Sequence, residues 1–284
     1  MCVISLFHSV VHVRPFVHPS NPKHSGRSHS ISYRQSFNTK ISKSLVKFEK
    51  YGGKLKMSSS SVPTKRPKMP KPDPNSFIQT EMRRIVMRLH TRSQSAEGKV
   101  EDKGKKFSEW KPTLTGYVQF LVDSRLIYST LDEIVNSSDD LVKFRKTGLE
   151  RVSALDFDLI WLAENYQNLS IPKPTSISVE YADYLREISQ RSVPRFICHF
   201  YNHYFAHTAG GMRIGLKVSE ACLDNHTLQF YKYGDENMKE LLEVTRKNID
   251  SMALSWDREA KDECLDEIPM TFKYGSAITS SIAG

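Results

Sequence analysis

From Phe77 to the end of the chain, apolar residues return every three or four positions and almost never every second one. That period restricts the folded part to packed helices, because a strand needs alternation and a helix needs a stripe. In the first run, FIQTEMRRIVMRLHTR, residues Ile78, Met82, Ile85, Val86 and Leu89 form one face, Arg84, Arg88 and Arg92 stack as a basic stripe, and His90 stands near the end. Thr113 can cap a long helix in which Tyr117, Phe120, Leu121, Ser124, Ile127, Tyr128, Leu131 and Ile134 recur. Further helical runs are expected at 144–166, at 178–189, through 199–215, from Asp235 to Trp256, and from Asp257 past Pro269 to Ile282. The expectation is a single all-α domain of about seven to nine helices, without an internal repeat.

The net charge of +9 invites a nucleic-acid reading, but its distribution argues against one. Of the 41 Lys and Arg, 14 fall in residues 1–75, where only Glu49 and Asp73 oppose them; beyond that, 27 basic residues face 30 acidic ones. The basicity therefore belongs to the leader. An N-terminus rich in Arg and Ser and nearly free of acids has the composition of an organelle transit peptide, with a disordered basic tail as the plainer alternative. The expected layout is a transit peptide over 1–57, a Ser/Pro/Lys linker over 58–75 and the all-α domain over 76–284, with cleavage between about residues 45 and 65. No run of about 18 apolar residues occurs, so no membrane span is expected. Cys2, Cys198, Cys222 and Cys264 show no CxxC pairing, which disfavours zinc and fits reduced thiols.

The stretch HFYNHYFAHTAGGMRIG, from His199 to Gly215, passes from aromatic bulk to Ala206, Ala209, Gly210, Gly211 and Gly215. Glycine inside a helix costs about 1 kcal/mol against alanine, so a Gly-Gly pair there needs a reason. Two are available: a kinked, close helix crossing, or a flat ligand lying against bare backbone. At helical spacing His203, Ala206, His207, Gly210 and Ile214 would share a face. His199, His203 and His207 at i, i+4 and i+8 could form half a metal site, but further ligands are not evident, and the Glu-x-x-His pairs of a di-iron bundle are missing. One histidine from the first helix facing a glycine-kinked helix would instead sandwich a flat, iron-bearing ligand, which is the geometry of a heme pocket.

The segments EMRRIVMRLHTR, WKPTLTGYVQFLVDSRLIYSTLDEIV, FRKTGLERVSAL, FICHFYNHYFAHTAGGMRIGLKV and FYKYGDENMKELLEVTRKNID together resemble plant plastid heme oxygenases over about residues 77 to 275. The resemblance implies that His90 ligates the iron of heme b, which is both cofactor and substrate. It implies that Ala209, Gly210 and Gly211 form the distal kink that directs ring opening to the α-meso carbon, giving biliverdin IXα, carbon monoxide and ferrous iron. His207 stands where better-known members have a distal aspartate, which leaves the proton donor unassigned. Arg83, Tyr201 and Arg246 match the residues that contact the propionates, and Phe272 matches an aromatic beside the pocket. The implied electron donor is ferredoxin, for which Arg84, Arg88 and Arg92 offer a docking face, with O2 as co-substrate and ascorbate as a second reductant. The implied setting is the chloroplast stroma, with a monomeric enzyme feeding phytochrome chromophore synthesis.

Two departures stand out: GGMRIG moves an arginine to position 213, and Pro269 falls within the expected last helix. Two other functions remain open from sequence alone. One is a catalytically silent heme- or tetrapyrrole-binding paralogue, against which His90 counts. The other is an all-α interaction protein in which the glycine pair only lets helices cross.

Overall fold

The longest helix, α2 (Leu114–Ser137), starts where the Thr113 hydroxyl accepts the Gly116 N–H and runs through the middle of the core. Tyr117, Leu121, Ile127 and Leu131 on its inner face are fully buried. Each such side chain contributes roughly 1.5–3 kcal/mol when removed from water, so this stripe anchors the packing. The coordinates are a computed structural model that describes residues 73–92, 97–100, 107–234 and 236–282, all within the unit from Arg66 to Gly284. The expected transit peptide at 1–57 and nearly all of the linker at 58–75 lie outside the described residues.

The other helices surround α2 in chain order. A π turn at Ile78–Met82 leads into α1 (Arg83–Leu89), and α3 (Val152–Asn165) and α4 (Ser176–Arg191) flank α2. Helix α5 (Val193–Ala206) passes through a second π turn at His207–Gly211 into α6 (Met212–Cys222). Helices α7 (Met238–Ala253), α8 (Arg258–Asp266) and α9 (Ile268–Thr279) complete the set. Helix α9 is the spacer that matters most for the site, because it packs against both α1 and α5. Among the described residues the only β-type pairing is an isolated bridge between Thr91 and Val100, so the all-α expectation holds. None of the described helices is long and apolar enough to cross a membrane.

Several boundaries differ from the periodic reading. The first helix stops at His90, whose backbone turns extended, two residues before the expected end. The run from Phe144 breaks because Lys146 and Gly148 adopt left-handed φ of 55° and 79°; Glu150 accepts the Thr147 and Gly148 N–H groups and stabilises that turn. Helix α7 is capped by Asn237, which accepts the Lys239 N–H, while Asp235 lies outside the described residues. The single helix expected after Asp257 is two, with Pro269 in the first turn of α9, where its missing N–H removes no helix bond. Cys198 and Cys264 are buried, Cys222 is partly so, and all three are free thiols.

Candidate functional site

Because α1 ends at His90, the carbonyls of its last turn have no continuing helix to bond to. His90 uses one of them: its Nδ1 lies 2.8 Å from the Val86 oxygen. A carbonyl can only accept, so Nδ1 carries the proton and Nε2 keeps its lone pair, the tautomer of a metal-ligating imidazole. The segment 97–100 returns over this turn, with Lys99 N–H donating to the Arg88 oxygen and Val100 N–H to the His90 oxygen. Gly98 permits that approach, since a Cβ there would meet the Thr91 oxygen at 2.2 Å and the His90 oxygen at 2.5 Å. On the α9 side, Phe272 meets the His90 ring edge to face, with centroids 5.2 Å apart.

The expected shared face of His203, His207 and Gly210 is not formed. The π turn divides it, sending His207 inward and Gly210 outward. His207 is 6 % exposed and packs on Phe230, Tyr231 and Tyr128, and its Nε2–H donates to the Phe230 carbonyl oxygen at 2.9 Å. Burial pushes its pKa down to about 4, so the ring is neutral at physiological pH. Gly211 belongs with His207, because a Cβ at position 211 would lie 3.0 Å from His207 Nδ1. Gly210 has no such neighbour within 4 Å, and with Ala206 and Ala209 it forms an exposed strip of bare helix. Gly275, three residues after Phe272 on α9, is half-buried yet also faces open space, as a residue bordering a hollow does.

The three expected propionate contacts come together. Arg246 and Arg83 both act on the Tyr201 phenol and pull its pKa down, but burial outweighs them and pushes it up to about 12. The phenol therefore stays protonated, a donor within the influence of two guanidiniums, which is the chemistry that carboxylates bind. Arg83 also pairs with Glu97 at 3.6 Å, and Arg246 pairs with Glu243 on its own helix and lies over the Phe205 ring. Arg84, Arg88 and Arg92 are exposed. Arg213 is exposed as well, with its guanidinium 5.5 Å from the Phe107 ring centre. Among the described residues no cluster of three or more His, Cys, Asp or Glu side chains could hold a bare metal ion.

Sequence reasoning missed Gly98 and Gly275. Gly98 sits in a polar loop where a glycine carries no distinctive signal. Gly275 could have been found, since a glycine on the same helix face as Phe272 is the pattern that marked Gly210.

A ring-fixed histidine with a free lone pair, a strip of backbone without side chains and a Tyr flanked by two Arg suit a flat tetrapyrrole with an iron centre and acidic arms. The chain belongs to the heme oxygenase family, whose model matches residues 85–279. It is 45% identical over 203 residues to heme oxygenase 1, chloroplastic, of Arabidopsis thaliana, covering 70% of this chain and 71% of that one. It is 39% identical over 168 residues to a rice protein named probable inactive heme oxygenase 2, chloroplastic, covering 58% of this chain and 50% of that one. In fold it is similar to heme oxygenase-1 of the cyanobacterium Synechocystis in complex with heme, with a TM-score of 0.50 at 19% identity over 58% of this chain and 76% of that one.

Proposed function

We propose that this chain is an active plastid heme oxygenase that opens heme at the α-meso carbon to biliverdin IXα, carbon monoxide and ferrous iron. The observation that carries this reading is the His90–Val86 hydrogen bond, which leaves Nε2 free for iron. Heme bound here supplies the iron at which oxygen is activated and is itself the substrate. The residues do the rest. His90 would hold the iron, Phe272 fixes the plane of its imidazole, and Tyr201, Arg83 and Arg246 would bind the propionates and orient the ring. Gly210 and its alanine neighbours would let a flat ring lie close against the helix backbone, which would limit the room for attack on it. His207 and Gly211 hold the π turn that presents Gly210.

Electrons come from ferredoxin docking on Arg84, Arg88 and Arg92, where an acidic partner gains in association rate from complementary charge. Ascorbate serves as a second reductant and O2 as co-substrate. The acid-poor, Arg- and Ser-rich leader and the relatives named chloroplastic support a chloroplast location, and we place the mature monomer in the stroma, supplying phytochrome chromophore synthesis.

The test is an absorption time course of the purified chain with hemin, reduced ferredoxin and ascorbate under oxygen. Loss of the Soret band with growth of a biliverdin band is the expected result. A heme complex that never decays would make the chain a silent heme binder, like the relatives named inactive. Absence of any complex would leave the glycine pair to helix packing alone.

A further inference from the structure

The two halves of the kinked helix are fastened very differently. Helix α5 buries Phe196, Ile197, Cys198, His199, Phe200 and Tyr204, whereas the 11 residues of α6 bury only Gly215, Val218 and Ser219. Between them the π turn holds two adjacent glycines, Gly210 and Gly211, and glycine has the widest backbone freedom of any residue. The joint itself therefore does not fix the direction of α6. That direction has to come from what packs on α6.

On one side the Tyr231 ring lies against Gly215, where a Cβ would meet it at 2.5 Å, and Ser219 Oγ donates to the His226 carbonyl oxygen at 2.8 Å. A further holder is segment 107–112, which leads into α2. Lys217 Nζ donates to the Phe107 and Ser108 carbonyl oxygens at 2.5 and 3.1 Å, and the same ammonium stands 4.9 Å from the centre of the Phe107 ring. Arg213, one turn earlier on α6, brings its guanidinium to 5.5 Å from that ring. Both distances fall within the range over which an aromatic face attracts a cation. At the far end Cys222 Sγ donates to the Pro112 carbonyl oxygen at 3.3 Å, so the contact runs from beside the glycine turn to the last residue of α6.

We propose that Arg213 and Lys217 are positioning residues for ring opening: closed on Phe107, they hold α6, and with it the Gly210 strip, in a fixed place over the bound ring. The proposal rests on the reading that heme is opened in this cleft. Both cations act through the helix. Arg213 lies two residues beyond Gly211, so a shift of its backbone is passed directly to the glycine strip. Residue order matters here. With GGRMIG in place of GGMRIG the arginine would stand at 212, about 100° around the helix from the face that Phe107 covers.

The exchange Met212→Arg with Arg213→Met keeps composition and charge and moves only the guanidinium. In the heme-free chain, amides of α6 should then exchange hydrogen faster while those of α5 keep their rates. Hemin release to apomyoglobin should quicken about threefold, the weight of a partly exposed cation–π contact, and the biliverdin isomers should shift from the wild-type pattern. Lys217→Met also removes two charge-assisted bonds and should quicken release about tenfold. Should that variant misfold, the exchange carries the test. Phe107→Leu should reproduce the loss, and the exchange made on top of it should add little, because both remove one contact. Wild-type release with a wild-type isomer pattern in both α6 variants, or protection lost equally from α5 and α6, would overturn the proposal. Full additivity with Phe107→Leu would do so too, since the cations would then act by charge alone. A wild-type chain that binds hemin without opening it would overturn the functional reading instead, and hydrogen exchange and hemin release would still decide whether the clamp holds α6.

Discussion

The Nδ1 atom of His90 lies 2.8 Å from the carbonyl oxygen of Val86, one helical turn earlier. This bond does two things at once. It gives a partner to a carbonyl left open by the end of α1, and it sets the tautomer and angle of the ring. An identical histidine in mid-helix would find that carbonyl already taken by the ladder, so ending α1 at His90 is what lets the carbonyl fix the ring.

His90→Ala should therefore abolish turnover and leave the fold in place, since the ring is only half-buried and packs on a single aromatic. The expected loss exceeds about a hundredfold, beyond the range that changes behind a ligand produce. Hemin titration should show a shifted, weaker Soret band, and added imidazole should restore part of it. Unchanged activity with a native circular dichroism spectrum would remove His90 as the ligand.

Gly98→Ala tests the support from the other side. The new Cβ would meet two backbone oxygens at 2.2 and 2.5 Å, and backbone cannot swing aside as a side chain can. Overpacking of this kind costs typically about 1–3 kcal/mol, and here the displaced atoms belong to His90 and Thr91. Urea melts should register the loss, and hemin affinity should fall with it; an alanine variant of full stability and affinity would show that segment 97–100 does not hold His90 in place.

Most of the fold was legible because its signals are local. Thr113 announces α2, and the buried stripe from Tyr117 to Leu131 follows the helical period. What was hidden depends on backbone conformations or on distant partners. The left-handed φ of Lys146, which delays α3, leaves no trace in apolar spacing. The π turn is also silent, and its extra residue per turn separates His207 from Gly210, which ideal spacing had put together. His90 and the Arg83, Tyr201, Arg246 group were singled out through resemblance. The hydrogen bonds of His199 to Glu267 and to Tyr181, and of Tyr181 to His203, were not, because each joins residues 18 to 68 apart and only packing brings them together.

The two central glycines should respond differently to alanine. Gly210 faces open space, so Gly210→Ala should raise stability of the heme-free chain by up to about 1 kcal/mol, the helix propensity gain. Gly211→Ala must push on His207 Nδ1 at 3.0 Å and should forfeit that gain or more. Hemin titration separates them further. Gly210→Leu should keep the fold and lose hemin affinity or α-selectivity, and an α-selective Gly210→Leu variant would remove the platform from the mechanism.

His207 should make the fold acid-sensitive within a defined window. Its pKa is about 4 in the folded chain because burial disfavours the charged ring, against about 6.5 when unfolded. Below pH 6.5 the unfolded chain binds a proton that the folded chain does not, so stability falls as pH falls, by about 1.4 kcal/mol per unit, until the folded ring also titrates near pH 4. The total is about 3 kcal/mol. Asp132 works against this over the lower part of the window, because burial raises its folded pKa to about 6 and the folded chain takes up a proton there first. Comparing urea midpoints of the wild type and His207→Gln from pH 7 to 4 cancels the Asp132 contribution, since Gln can still donate to the Phe230 carbonyl but cannot be charged. The variant should show the shallower decline. Parallel declines would mean that His207 is charged in the folded state, and a charged imidazolium could not be the buried prop that holds the π turn.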